Sequence, residues 1–140
     1  MSGRKCLCCV LSVLLAIALA NLPGAAQTAS DVKGTWSGSF QSHYKDMEPF
    51  TMTVVITPDA NGHLVGTSDL VSECVRGVKL QVTVNGTNVV LAGSDDVGDS
   101  ITLRGNVDTS GTLLNLRYIV NGSASGKCET DQGSGTLGKR

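Results

Sequence analysis

The sequence predicts an all-β protein, an eight-stranded antiparallel up-and-down meander barrel. After residue 26, apolar and polar residues alternate with a period of two in eight short segments, and no stretch keeps the period of an amphipathic helix. Gly, Asn and Asp residues typical of turns separate these segments. The connections alternate between tight and loose along the chain, and eight alternating strands in a meander can close into a barrel.

Residues 1–26 are interpreted as a secretory signal peptide. A basic start precedes an almost uninterrupted apolar run at 6–20, and small residues follow up to Ala26. This order is the layout of an export signal, with small residues before the cleavage point. A cut after Ala20 is the alternative position. Retention as a membrane anchor is the alternative interpretation, although the apolar run is shorter than the roughly 20 residues that a spanning helix needs.

The expected mature chain has a lead-in at 27–33 and a barrel domain at 34–140. Loss of the two basic residues in the signal leaves nine basic and twelve acidic residues, a net charge of −3. The remaining basic residues are scattered, so nucleic acid is not an expected partner. No membrane contact is expected once the signal is removed. The expected location is secreted or periplasmic, and the oligomeric state stays open.

The first four strands are predicted from the alternation of their side chains. The first places Trp36 and Phe40 on one face, and the second has an apolar residue at every other position from Phe50. The third is marked by Leu64 and Leu70 on a shared face, and the fourth sets Val and Leu against Lys, Gln and Thr. These strands are expected at 34–42, 49–57, 63–70 and 78–84.

The last four strands follow the same pattern until the end of the chain. The fifth, TNVVLAG, comes directly after Asn85-Gly86, a pair that strongly favours a tight hairpin. The sixth and seventh set Ile, Leu, Val and Tyr118 against Thr, Asn and Arg. The eighth, DQGSGTLG, is rich in glycine, which permits a bend or bulge where a sheet closes. These strands are expected at 87–93, 100–107, 112–120 and 131–138.

The connections predict that the two ends of the barrel differ. Alternate hairpins of a meander lie at the same end, so the three tight turns gather at one end and the four longer connections at the other. Loops on a rigid scaffold are where binding usually occurs. A two-sheet sandwich is the alternative topology, but its crossings need longer connections. The longer connections are 41–48, 71–77, 93–99 and 121–130.

Two of the five cysteines, Cys74 and Cys128, lie outside the expected signal. An exported protein with two cysteines usually joins them, so a disulfide is expected between two loops at the same rim. A redox pair or half of a metal site is the alternative, but there is no C-x-x-C spacing and no histidine nearby.

The segment GTW at 34–36, opening an eight-stranded meander, resembles the start of the calycin barrels, which include lipocalins and avidins. DANGHLVGT at 59–67 is similar to the second hairpin of avidin-type proteins. The resemblance implies a barrel around one small ligand, with Trp36 as the plug of its closed end. A biotin site is not implied, because avidins line theirs with several tryptophans and this chain has one.

The first functional hypothesis is binding of a small apolar molecule, which enters between the longer loops. A preformed apolar cavity with a few polar groups at its rim is the usual form of such a site. The expected lining or rim residues are the aromatic side chains Phe40, Tyr44, Phe50 and Tyr118.

The second hypothesis is a protein-interaction or inhibitor module that uses the same loops above a solid barrel core. The spacing of Cys74 and Cys128 is also similar to that of small exported bacterial barrels with no assigned activity, and a related group is the periplasmic barrels that inhibit lysozymes or proteases. The contacts would then be Tyr44, Lys45 and Arg76, since aromatic and arginine residues dominate interface hot spots. An enzyme is not expected, because no nucleophile motif accompanies His43. Neither a cofactor nor a metal is expected, since the acidic segment 95–99 lacks the EF-hand pattern.

Overall fold

The structure is a computed structural model, and it describes residues 32–70, 74–75 and 77–140. The expected signal peptide and Arg76 lie outside the described residues. Each expected strand boundary is within one residue of the observed one. The strands are β1 (Gly34–Ser42), β2 (Phe50–Pro58), β3 (Leu64–Leu70), β4 (Lys79–Asn85), β5 (Asn88–Ser94), β6 (Ser100–Val107), β7 (Leu113–Asn121) and β8 (Asp131–Lys139).

The eight strands form a closed antiparallel barrel in which each strand pairs with its neighbours in the chain. β1 also pairs with β8, with Phe40 opposite Gly135, so the sheet has no free edge. The prediction of an all-β meander barrel is therefore confirmed, and the sandwich alternative is wrong. No helix in the described part of the chain is long and apolar enough to span a membrane.

The barrel core is formed mainly by the inward-facing strand residues that the alternation predicted, and Val32, Val75 and Cys128 join it from outside the strands. Trp36, Val54, Leu91, Leu103 and Leu114 are all fully buried. Burial of such side chains contributes roughly 1.5–3 kcal/mol each to folding. The packed core fills the barrel between its tight-turn end and the aromatic layer that lies near the long loops.

Trp36 lies near the start of β1, at the end of the barrel that carries the tight turns. Its indole nitrogen donates a hydrogen bond of 2.8 Å to the carbonyl of Val32. The ammonium of Lys139 lies 5.3 Å from the centre of its ring. This position agrees with the plug that the calycin resemblance implies.

Aspartate side chains organise the tight-turn end. Oδ1 of Asp59 accepts hydrogen bonds from the backbone of Asn61 at 2.9 Å and His63 at 2.8 Å. Oδ1 of Asp108 likewise accepts from the backbone of Thr112 and Leu113, both at 2.8 Å. Asp, Asn and Ser favour turns because their side chains satisfy nearby backbone groups in this way. These two turns are therefore held by hydrogen bonds within the turns themselves.

The glycines of β8 make room for aromatic rings inside the barrel. A Cβ atom on Gly133 would lie 2.6 Å from Cε1 of Tyr118, and one on Gly135 would lie 2.5 Å from Cδ1 of Phe40. Both distances are shorter than van der Waals contact. The glycine-rich strand thus lies directly against the two rings at the point where the barrel closes.

Candidate functional site

Three aromatic rings form a layer inside the barrel at the end that carries the long loops. Phe40 and Phe50 face each other across β1 and β2, with ring centres 5.5 Å apart and nearly parallel planes. Tyr118 of β7 meets Phe40 at 5.6 Å and Phe50 at 5.2 Å, edge to face in both cases. Such pairs contribute about 0.5–1.5 kcal/mol beyond the area that they bury. The layer separates the packed core from the loops above it.

A buried polar network lies beside this aromatic layer, centred on Asp131. Its Oδ1 accepts a hydrogen bond of 2.6 Å from the Ser42 hydroxyl and one of 2.8 Å from the backbone of Gln132. Its Oδ2 accepts one of 2.5 Å from the phenol of Tyr118. The Ser42 hydroxyl in turn accepts a hydrogen bond of 3.0 Å from the backbone of Tyr44. The network therefore joins three strands to the first long loop.

Tyr118 acts in this network as a donor over the whole physiological pH range. Burial, and then the hydrogen bond to Asp131 and the charge of that residue, raise the pKa of the phenol well above its ordinary value. Each of these effects opposes ionisation of the phenol. The proton therefore stays on Tyr118 and points toward the carboxylate.

A pocket of about 370 Å³ opens at the mouth of the barrel, next to this network. Its walls combine apolar groups with charged ones, and its volume falls within the range of small-molecule sites. We call it the mouth pocket. The residues that line it are Met47, Glu48, Phe50, Cys74, Val120, Lys127, Glu129 and Asp131.

Three carboxylates and one ammonium group line the mouth pocket. Glu48, Lys127 and Glu129 are exposed at its rim, whereas Asp131 is buried. Lys127 already interacts with another group of the protein. Acceptor oxygens therefore dominate the polar part of the wall, and they are available to a ligand that donates hydrogen bonds.

Asp99 holds the last long loop in place beside the mouth pocket. Its Oδ1 accepts a hydrogen bond of 2.6 Å from the backbone of Ser123, and its Oδ2 accepts from Lys127 at 2.8 Å and Cys128 at 3.0 Å. The hydrogen bond from Ser123 contributes most to lowering the pKa of Asp99, and those from Cys128 and Lys127 act in the same direction. The ionised carboxylate thus organises three backbone amides of one loop.

The acidic segment 95–99 has structural partners. Oδ1 of Asp95 accepts hydrogen bonds from the backbone of Val97 at 3.1 Å and Asp99 at 2.9 Å, which closes the turn. The carboxylate of Asp99 faces the neighbouring loop. Among residues 32–70, 74–75 and 77–140, no group of three His, Cys, Asp or Glu residues is placed to hold a metal ion.

The disulfide between Cys74 and Cys128 is present, as predicted. It joins two positions that are 54 residues apart in the chain and ties the segment 74–75 to the loop that Asp99 holds. A bridge over this separation stabilises a protein by about 4 kcal/mol in the chain-entropy model. Cys74 also lines the mouth pocket, so the bridge forms part of its wall.

The predicted site residues lie in different places: three aromatic residues are in or below the mouth pocket, and two residues are exposed on the first long loop. Phe50 lines the mouth pocket, while Phe40 and Tyr118 lie below it, each only 1% exposed. Tyr44 and Lys45 are exposed on the first long loop and do not line the pocket. Arg76 is outside the described residues, so its predicted contact role has no structural counterpart here.

Sequence reasoning missed Asp131, Ser42 and Asp99. A signal for the first two was present, because Ser42 continues the inward phase of Trp36 and Phe40, and Asp131 has the inward phase of β8. A polar residue at an inward position can mark the end of a strand, but it can equally indicate a buried polar network. Asp99 carried no such signal, since its three partners come from a loop more than twenty residues away.

The architecture is a closed eight-stranded up-and-down barrel, which is consistent with a calycin-like fold. Comparison with known proteins identified no relative of this protein: no protein-family model, no curated protein and no solved structure matches the chain.

Proposed function

We propose that the protein is an exported, calycin-like barrel that binds a small amphipathic molecule in the mouth pocket. The observation that carries the proposal is the position of this pocket, directly above the aromatic layer and beside the buried carboxylate of Asp131. The ligand lies at the mouth of the barrel, because the interior below Phe40 is filled by packed side chains.

The walls of the pocket indicate the chemistry of the ligand. Phe50, Val120 and the disulfide offer an apolar surface to a ring or a short chain. Asp131 keeps unused acceptor capacity on its oxygens, since a carboxylate accepts about four hydrogen bonds and this one receives three. The expected ligand therefore has an apolar body and a polar end that donates hydrogen bonds, such as an amine or a hydroxyl.

The disulfide supports an exported location. Disulfides persist in oxidising compartments, and the bridge between Cys74 and Cys128 is compatible with one. Together with the signal interpretation of residues 1–26, it favours a secreted or periplasmic protein. We propose binding and not catalysis, because His43 and His63 lie at opposite ends of the barrel.

A protein-interaction role for the same rim is the second candidate. Three large apolar side chains at this end are strongly exposed: Tyr44 at 53%, Met47 at 42% and Val97 at 47%. They lie on two different loops and would form the apolar centre of such a contact, with Lys45 at its edge. An exported protein is the partner expected for this role.

A fluorescence titration with N-phenyl-1-naphthylamine tests the small-molecule proposal. This probe has an apolar aromatic body and one N–H donor, as the pocket requires. Met47→Trp places bulk in the pocket and is expected to weaken binding about tenfold or more, which corresponds to about 1.4 kcal/mol. Val97→Trp introduces the same residue at an exposed position that does not line the pocket, and it should leave binding unchanged.

Two outcomes would contradict the proposal. One is the absence of saturable binding to the wild-type protein. The other is an equal loss of binding in both variants, which would place the probe on the apolar rim instead of in the pocket. The second result would favour the interaction module, and Tyr44→Ala would then be the variant that removes the contact.

A further inference from the structure

A second depression lies on the outer face of the barrel, across β6, β7 and β8, and it shares no lining residue with the mouth pocket. Its volume is about 530 Å³. The backbone of Gly105, Leu116 and Gly135 forms its floor. We call it the outer groove. The side chains that surround it are Arg104, Asn106, Asn115, Arg117, Ser134 and Thr136.

The depression follows from the glycines on the inner side of the sheet. Gly105, Leu116 and Gly135 are register partners on the three strands. At Gly135 the backbone lies against the ring of Phe40, because no side chain separates them. The backbone at Gly135 therefore lies close to the core, and the floor of the groove is low there. The longer side chains of the two flanking rows project above this floor.

The register places two arginines directly opposite each other. Arg104 of β6 pairs with Arg117 of β7, and Ser134 of β8 continues the row. Like charges at opposite positions destabilise an antiparallel pair. Both side chains are exposed, and within the part of the chain that the structure describes no carboxylate lies within ion-pair distance of either. None of the outward-facing residues of β6, β7 and β8 is acidic.

The neighbouring row consists of uncharged hydrogen-bonding groups. Asn106, Asn115 and Thr136 are partners across the same three strands. The Thr136 hydroxyl donates a hydrogen bond of 3.0 Å to Oδ1 of Asn115, which fixes the orientation of that amide. The amide nitrogen of Asn115 remains available as a donor. A row of two cations thus runs parallel to a row of amides and a hydroxyl.

We propose that the outer groove binds an acidic saccharide. The paired guanidinium groups would bind its carboxylate or sulfate, since arginine donates paired hydrogen bonds to such oxyanions. The row of Asn106, Asn115 and Thr136 would bind the sugar hydroxyls. Nucleic acid is a poorer fit, because the groove has no aromatic side chain on which a base would stack. The open shape of the groove suits a chain that crosses the sheet.

Calorimetric titration of the full mature chain with oligogalacturonate tests this site. The double variant Arg104→Gln, Arg117→Gln is expected to weaken binding about tenfold or more. Its melting temperature at low salt should not fall, because the like-charge pair is removed. The double variant Lys33→Gln, Lys79→Gln removes the same charge from exposed positions outside the groove, and it should bind as the wild type does.

Competing ligands separate the saccharide from other anions. A neutral galactan should not bind, and inorganic phosphate should bind much more weakly than oligogalacturonate. The proposal is overturned if the wild type does not bind oligogalacturonate, or if both double variants lose binding equally. It is also overturned if single-stranded DNA of similar charge binds as well as the saccharide, since that result indicates general attraction of polyanions.

Discussion

The phenol of Tyr118 donates a hydrogen bond of 2.5 Å to the carboxylate of Asp131, and both residues lie inside the barrel at its open end. This bond connects the aromatic layer to the polar wall of the mouth pocket. The same carboxylate accepts from the Ser42 hydroxyl, so one buried charge orients groups from three strands. The proposed site therefore rests on a prearranged network and not on loop side chains alone.

Tyr118→Phe should lower the free energy of unfolding by about 1.5–3 kcal/mol, the usual contribution of a hydrogen bond to a charged group. The substitution keeps the ring and removes only the donor. Urea denaturation of the two proteins measures the difference. Tyr44→Phe is the matched control, because the Tyr44 side chain is exposed and should be insensitive to the change. Equal stability of Tyr118→Phe and the wild type would show that the bond contributes nothing.

Asp99→Asn should lower the melting temperature by several degrees and release the loop at 122–128. The reason is that the three backbone N–H groups donate to both oxygens of the carboxylate, whereas an amide has only one acceptor oxygen and its nitrogen is a donor. Hydrogen exchange at Ser123, Lys127 and Cys128 should become faster. Asp96→Asn is the control, since Asp96 is exposed in the same segment.

The contribution of Asp99 should also depend on pH. Its hydrogen bonds, that from Ser123 above all, lower its pKa below the ordinary value of 3.8. Because the ionised form is favoured in the folded protein, the stabilisation is complete above pH 3.8 and is lost as the pH falls through the lower folded pKa. The difference in melting temperature between wild type and Asp99→Asn should shrink in that range. A difference that stays constant down to pH 2 would contradict this account.

Gly135→Ala should destabilise the protein by about 1–3 kcal/mol, the usual cost of overpacking a core. The new Cβ would lie 2.5 Å from the Phe40 ring and 2.3 Å from the carbonyl oxygen of Ser39. Gly138→Ala in the same strand is the control, because its Cβ would meet no atom closer than 3.9 Å. Chemical denaturation of both variants should separate them clearly, and similar stabilities would refute the packing argument.

Ser68→Ala should stabilise the protein by about 1 kcal/mol. The Ser68 hydroxyl is buried and has no hydrogen-bond partner among the described residues. A buried polar group without a partner costs about 1–3 kcal/mol, and alanine removes the group with little loss of volume. Ser39→Ala, on an exposed position of β1, should have almost no effect. A loss of stability in Ser68→Ala would reveal a partner for the hydroxyl in solution.

The strands were predictable because the period-two alternation and the turn residues are local signals. Even the difference between the two ends of the barrel followed from the lengths of the connections. The arrangement of side chains at the mouth of the barrel was harder to predict from the sequence, because Asp99 and Asp131 act through partners that are distant in the chain. Tyr44 was predicted as a lining or rim residue, and it lies exposed on the first long loop, which the backbone bond from His43 to Gln132 ties to β8.

The position of a bound ligand in solution decides whether the mouth pocket is the binding site. Methyl-labelled protein is titrated with N-phenyl-1-naphthylamine and followed by NMR. We expect saturable shifts of the methyl groups of Met47 and Val120, which line the mouth pocket, and none at Val107 and Leu114 near the tight-turn end. Shifts confined to Val107 and Leu114, or no saturable shift at any of the four residues, would contradict it.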